Sequence, residues 1–197
     1  PKGDGGGGGG AGMGGAIFDQ EGSLTITNST LAGNAAEHGL GIDAAANGHG
    51  LGGAIFVLGG GRDPGHRVKI AASTIASNFA DDASLYVLGF NAADSDGATV
   101  ALADDIVSGT ETSQGDRTAV RDLTVAAPET MVPANLANRS GATVTLTAPS
   151  LIQRSATIGD GQLHGSPLAA DPRLQLLGAN GGPGMNTGGN AMLSTSL

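Results

Sequence analysis

Two stretches of the chain have the spacing of a phosphate cradle. Gly10, Gly12 and Gly15 satisfy G-x-G-x-x-G, and so do Gly48, Gly50 and Gly53. That pattern holds a pyrophosphate only between a strand and a helix N-terminus, where backbone N–H groups face the anion. Here the glycine run Gly5, Gly6, Gly7, Gly8, Gly9, Gly10 precedes the first copy, and Ala-Ile-Phe follows both. Strand-forming residues where a helix should begin argue for a turn. No Walker phosphate loop is present.

The other candidates are acidic. Asp81-Asp82 and Asp104-Asp105 are adjacent pairs, with Asp94 and Asp96 between them. Stacked layers of chain could bring such pairs together as oxygen ligands for calcium, which takes roughly six to eight. Calcium is the one cofactor these residues suggest. Neither an EF-hand loop nor a calcium-binding nonapeptide repeat is visible, and solvated loop carboxylates are the plainer reading. A polysaccharide lyase, hydrolase or epimerase needs an acidic residue with a charged partner on one exposed sheet. The outward strand positions run Thr25, Lys69, Ala101, Thr145, which is no such column. Arg117 and Arg121 could reach a glycan carboxylate. His38, His49, His66 and His164 lack metal-ligand spacing. Asn28-Ser29-Thr30 and Asn138-Arg139-Ser140 fit the glycosylation triplet, which arises often by chance. No catalytic residue is assigned.

Composition narrows the classes. The chain has 197 residues, 36 glycines, four Phe, one Tyr and no Trp, so its interior must be thin layers of Ala, Val, Ile and Leu. A net charge of −9 argues against nucleic acid and against an anionic membrane. The absence of cysteine removes disulfides and thiol chemistry. No apolar run is long enough to insert in a membrane. The chain begins at Pro1 without a signal peptide, as expected of a mature or excised segment.

The elements that position these residues come from a repeat. "SLTITNSTLAGNAA" (23–36) aligns with "RVKIAASTIASNFA" (67–80), placing Leu24 on Val68, Ile26 on Ile70, Leu31 on Ile75 and Asn34 on Asn78. Weaker copies are "TVALADDIVSGT" (99–110) and "TVTLTAPSLIQR" (143–154). Each opens with the period-two alternation of a strand buried on one face. Helical periodicity is absent. Constant strands separated by variable loops describe a solenoid. The expected fold is all-β: a right-handed parallel β-helix of about four coils, with Gly-rich corners and long loop insertions. Leu24, Val68, Val100 and Val144 should form one aliphatic column, and Leu31, Ile75, Val107 and Leu151 another. Asn34 over Asn78 should make an amide ladder. Gly14, Gly15, Gly52 and Gly53 are expected at corners. The expected organisation is a Gly-rich segment over 1–13, coils over 14–160 and an irregular tail over 161–197.

The phrase "GGAIF…SLTITNSTLAGNAA" resembles the GGAI/FxxN repeat of the polymorphic outer-membrane proteins. It resembles still more the bacterial surface β-helix proteins with GGAIF and TLTITNSTFSGN repeats. Gly14 to Phe18 and Gly52 to Phe56 carry the likeness, with Ser29 to Asn34 and Ser73 to Asn78. "AADPRLQLLGANGGPG" (169–184) resembles the element that closes many members. Leu31 and Ile75 stand where that family has Phe. The resemblance implies an extracellular or bacterial outer-surface location and a structural or adhesive role without catalysis. A short β-helix has unpaired ends that invite another chain, so either flanking sequence caps them or subunits associate end to end into a filament, the expected reading. The glycines Gly5 to Gly10 and the tail over 161–197 are the candidates for capping or for contact with a neighbour. A carbohydrate-binding or polysaccharide-processing β-helix, with surface glycans as partners, is the alternative.

Overall fold

The computed structural model describes residues 6–43, 45–59, 67–90, 97–112, 120–127 and 141–174, with the pairs 186–187 and 190–191. Gly5, His66, Asp94, Asp96, Arg117, the 138–140 triplet and the tail from 175 to 184 lie outside the described residues.

Every element among the described residues is a strand. The first round of chain holds β1 (Gly12–Met13), β2 (Ile17–Gln20), β3 (Ser23–Thr27) and β4 (Thr30–Ala32). The second holds β5 (Gly50–Leu51), β6 (Ile55–Gly59), β7 (Arg67–Ala71) and β8 (Thr74–Ala76). The third holds β9 (Ala83–Gly89), β10 (Ala98–Ala103) and β11 (Ile106–Ser108). The fourth holds β12 (Arg121–Ala127), β13 (Ala142–Leu146) and β14 (Leu151–Ile152), and the fifth β15 (Ser155–Gly159) and β16 (Gly161–His164). A separate antiparallel pair joins β17 (Asn186–Thr187) to β18 (Asn190–Ala191).

Among the described residues three larger parallel sheets result, beside a two-stranded parallel pair of β1 with β5. The first runs β2-β6-β9-β12-β15, the second β3-β7-β10-β13-β16 and the third β4-β8-β11-β14. The chain visits the sheets in the same order in each round, so equivalent residues of successive rounds lie side by side. Leu24, Val68, Val100 and Val144 pair in register, as the alternation predicts, and Leu163 continues the column. Ile26, Ile70, Leu102 and Leu146 form a second column. Ile55, Leu85 and Leu123, with Val57, Val87 and Val125, supply the first sheet's inward face. All join one core cluster with Ile75, Val107 and Ile152 of the third sheet. Each such side chain, once fully buried, contributes about 1.5–3 kcal/mol.

Two expectations change. The third-sheet column ends on Ile152, not Leu151: Leu151 pairs with Ile106, and Ile152 with Val107. The connection from β13 to β14, residues 147–150, carries one residue more than the earlier rounds, where Leu102 and Val107 are five apart and Leu146 and Ile152 six. Period-two parity is lost across such an insertion, and the strand slips by one. There are also five layers in two of the sheets where about four coils are expected. β15 and β16, "SATIG" and "GQLH", have too few aliphatic residues to announce themselves. Gly161–His164 falls in the segment expected to be irregular and pairs with β13.

Candidate functional site

The residues singled out for chemistry sit at the corners between sheets. At the corner between the second and third sheets, Ser29, Ser73, Asp105 and Ser150 stack, each just before a third-sheet strand. The Ser29 N–H donates to Ser73 Oγ at 3.2 Å, the Ser73 N–H to Asp105 Oδ1 at 2.8 Å and the Asp105 N–H to Ser150 Oγ at 3.2 Å. Ala103 N–H donates to the other Asp105 oxygen at 2.9 Å. The residue preceding each of the first three, Asn28, Ala72 and Asp104, has a φ of 48–57°. These are left-handed conformations held by a non-glycine residue, and the ladder secures them. Burial pushes the Asp105 carboxyl above its ordinary value; the Ser73 and Ala103 N–H groups oppose that shift and the Asp104 charge adds to it.

The corner after the third sheet carries Asn34, Asn78 and Thr110. The backbone N–H and side-chain amide of Asn34 both donate to Asn78 Oδ1, at 3.0 and 2.9 Å, and Asn78 Nδ2 donates to the Leu31 carbonyl at 3.0 Å. That is the expected amide ladder. Thr110 ends it with a different network: its N–H donates to Asp122 Oδ1 at 2.9 Å, and its hydroxyl meets Ser84 Oγ at 2.7 Å. Asp122 is fully buried. Arg154 reaches its other oxygen at 3.3 Å and donates to the Thr110 carbonyl at 3.1 Å. Nothing in the local sequence flags Asp122 or Arg154, because the pair is joined across rounds.

The acidic pairs do not converge. Asp81 and Asp82 lie just before β9, Asp104 and Asp105 between β10 and β11. One Asp81 oxygen accepts from the Gly50 N–H at 2.6 Å and meets His38 Nδ1 at 2.7 Å. Asp82 Oδ1 accepts from Arg121 at 3.0 Å and from the Thr124 hydroxyl at 2.9 Å. Among the described residues no group of three or more His, Asp or Glu side chains is placed to hold a metal ion. Tyr86 lies near this cluster; burial raises its phenol above its usual value, as does the Asp82 charge, and the Arg121 charge opposes the rise.

The glycine phrases open strands. Gly14 and Gly52 hold φ of 69° and 68° at the corner before β2 and β6, a conformation that suits glycine. Gly15 and Gly53 follow them, each against a backbone carbonyl that a side chain would strike. The run before Gly14 is packed by its own chain. Gly9 and Gly12 donate to the Ala46 and His49 carbonyls, and Gly39 and Ile42 donate back to Gly10 and Gly7. A Cβ at Gly6, Gly9, Gly12 or Gly15 would overlap backbone, while Gly7 and Gly10 have open space. The close contacts recur at every third residue, Gly6, Gly9, Gly12 and Gly15, where residues 6–15 pack against 37–42 and 45–53, and the His38–Asp81 contact ties this packing to the third round.

Among the described residues β2, β3 and β4 each have a neighbouring strand on one side only, as do β15 and β16, while β14 is met on its outer side by Leu168, which bonds to Ser150 and Ile152. Inward positions in these rounds, Ile17, Leu24, Leu31 and Leu163, are only partly buried while packing on the core. Phe18, 46% exposed, ends a stack with Phe56 and Tyr86 whose ring centroids are 5.6 Å apart.

Comparison with family models, curated proteins and solved structures gives no match for this chain. No helix among the described residues is long and apolar enough to cross a membrane.

Proposed function

We propose that this chain is a right-handed parallel β-helix with a structural or adhesive role at a bacterial outer surface, assembling end to end without catalysing a reaction. The observation that carries the reading is the pair of end rounds whose outer strand edges meet no further strand among the described residues, with part-exposed aliphatic residues behind them. Unpaired parallel edges are templates for another chain, and a heterologous contact between opposite ends propagates as a filament. The right hand follows from the general preference of parallel crossovers. The surface location rests on the GGAIF and Ser-Thr-aliphatic-x-x-Asn resemblance.

The use made of the polar side chains supports a structural role. Asp81, Asp82, Asp105 and Asp122 accept hydrogen bonds that fasten one round to another, and Arg121 and Arg154 serve two of them. Carboxylates committed in this way serve stacking. Sedimentation velocity across a hundredfold concentration range, beside a depolymerisation assay on acidic polysaccharides, tests the reading. Growing particle mass with no glycan cleavage is expected. A monomer at every concentration, or cleavage of any polysaccharide, overturns it.

A further inference from the structure

We propose that the fifth round of one molecule receives the first round of the next in a single fixed register, making a head-to-tail joint. This rests on the end-to-end reading and adds the polarity and the contacts. Three features lead to it, beginning with the tightness of the terminal rounds. At the corner between the first and second sheets, the three inner rounds connect through residues 60–66, 90–97 and 128–141. The first round turns there through Glu21 and Gly22, and the fifth through Asp160 alone. Both terminal rounds enter that turn on a residue of positive φ, Glu21 at 54° and Gly159 at 60°. At this corner the long connections thus belong to the three inner rounds.

The second feature is register. The columns already present dictate what a sixth layer must offer. Leu163 continues the column that begins at Leu24, so Leu24 of the next copy would extend it with an aliphatic side chain. Phe18, Phe56, Tyr86, Thr124 and Ala156 share one column. The half-exposed ring of Phe18 in the next copy would lie over the small Ala156 side chain. Thr25, Lys69, Ala101, Thr145 and His164 share another, setting Thr25 of the next copy beside His164.

The third feature is charge. Among the described residues of the first round, 17–36, the charged groups are Asp19 and Glu21, both acidic. The described last segment, 153–174, brings Arg154, His164 and Arg173 against Asp160 and Asp171. Two first rounds facing each other would oppose acid to acid throughout; a first round on a last round does so only where Glu21 meets Asp160 at the turn between the first and second sheets. Parallel sheets reach the same answer, because only opposite ends continue a parallel ladder.

The joint can be locked in place, since the chain has no cysteine. Strands in register lie about 4.8 Å apart, within the roughly 4.4–6.8 Å Cα separation of a disulfide. The double variant Thr25→Cys/His164→Cys substitutes two exposed outward positions. After mild oxidation it should give a non-reducing gel ladder of dimers, trimers and longer species, while each single variant stays monomeric on that gel. A second pair, Ser23→Cys/Gln162→Cys, one register step along the same strands' outward face, should behave alike and guards against misfolding of the first. Dimers from Thr25→Cys alone would mean that first rounds meet each other, overturning the joint. Oligomers of the parent chain with no ladder from either pair would overturn the register while leaving self-assembly intact. A monomeric parent chain would overturn both.

Discussion

Replacing Asn78 by Ala should remove more stability than any other single change to the corner ladders. The side chain is fully buried and makes three hydrogen bonds, two accepted from Asn34 and one donated to the Leu31 carbonyl. At about 1 kcal/mol net for each bond, their loss costs about 3 kcal/mol. The void left by the amide adds up to about 1 kcal/mol. Asn34 is half-buried, so water can reach its orphaned N–H, and the penalty for an unpaired donor stays at its low end. A total of about 3–4 kcal/mol lowers the melting temperature of a chain this size by about 10 °C. Urea unfolding followed by circular dichroism reads the change directly. The matched control is Asn34→Ala, which deletes one side-chain donor and leaves the backbone bond to Asn78, at a cost of about 1 kcal/mol. If Asn78→Ala costs no more than Asn34→Ala, the amide ladder does not hold the rounds together.

Four further outcomes follow from the same geometry. Gly9→Ala should disrupt the packing of residues 6–15 on 37–42 and 45–53, because its Cβ would overlap the Gly39 carbonyl, whereas Gly10→Ala, with open space, should change stability by less than about 0.5 kcal/mol; limited proteolysis between 37 and 49 distinguishes them. Arg154→Ala leaves the buried Asp122 carboxylate without its cation and should cost about 3 kcal/mol, since Arg154 is itself partly solvent-exposed; denaturant titration measures it. Burial raises the folded-state pKa of Asp105 above its unfolded value, so the folded chain holds that proton more tightly. The associated stability is full below the ordinary Asp range and is lost as pH rises from about 4 through the raised value. Melting curves of Asp105→Asn should therefore lack that decline, even at a lower absolute stability. Chelation should leave the melting temperature unchanged, because the Asp81-Asp82 and Asp104-Asp105 pairs lie at different corners; a fall of several degrees would reinstate calcium.

The columns were legible in the sequence because period-two alternation is local, and the offset between copies then fixes register: Leu24 on Val68 and Asn34 on Asn78 needed nothing else. The error at Leu151 shows the limit of that reasoning. One extra corner residue inverts parity, and sequence spacing alone does not say whether a corner or a strand absorbs it. The packing of the glycine run was not legible for another reason. Its partners, residues 37–42 and 45–53, carry only scattered glycines, and an unbroken run over Gly5 to Gly10 hides that only every third position needs glycine. The acidic residues were noticed for their adjacency, yet neighbours in sequence at a corner point to different partners. Asp122 and Arg154 were passed over, since what joins them is the stacking of one round on the next.

The most direct test of a stacking structural protein is electron microscopy with fibre diffraction on concentrated native material. The account predicts unbranched filaments, one molecule wide at each level, with a meridional reflection near about 4.8 Å along the filament axis. Monodisperse isolated particles at all concentrations, without that reflection, would contradict it.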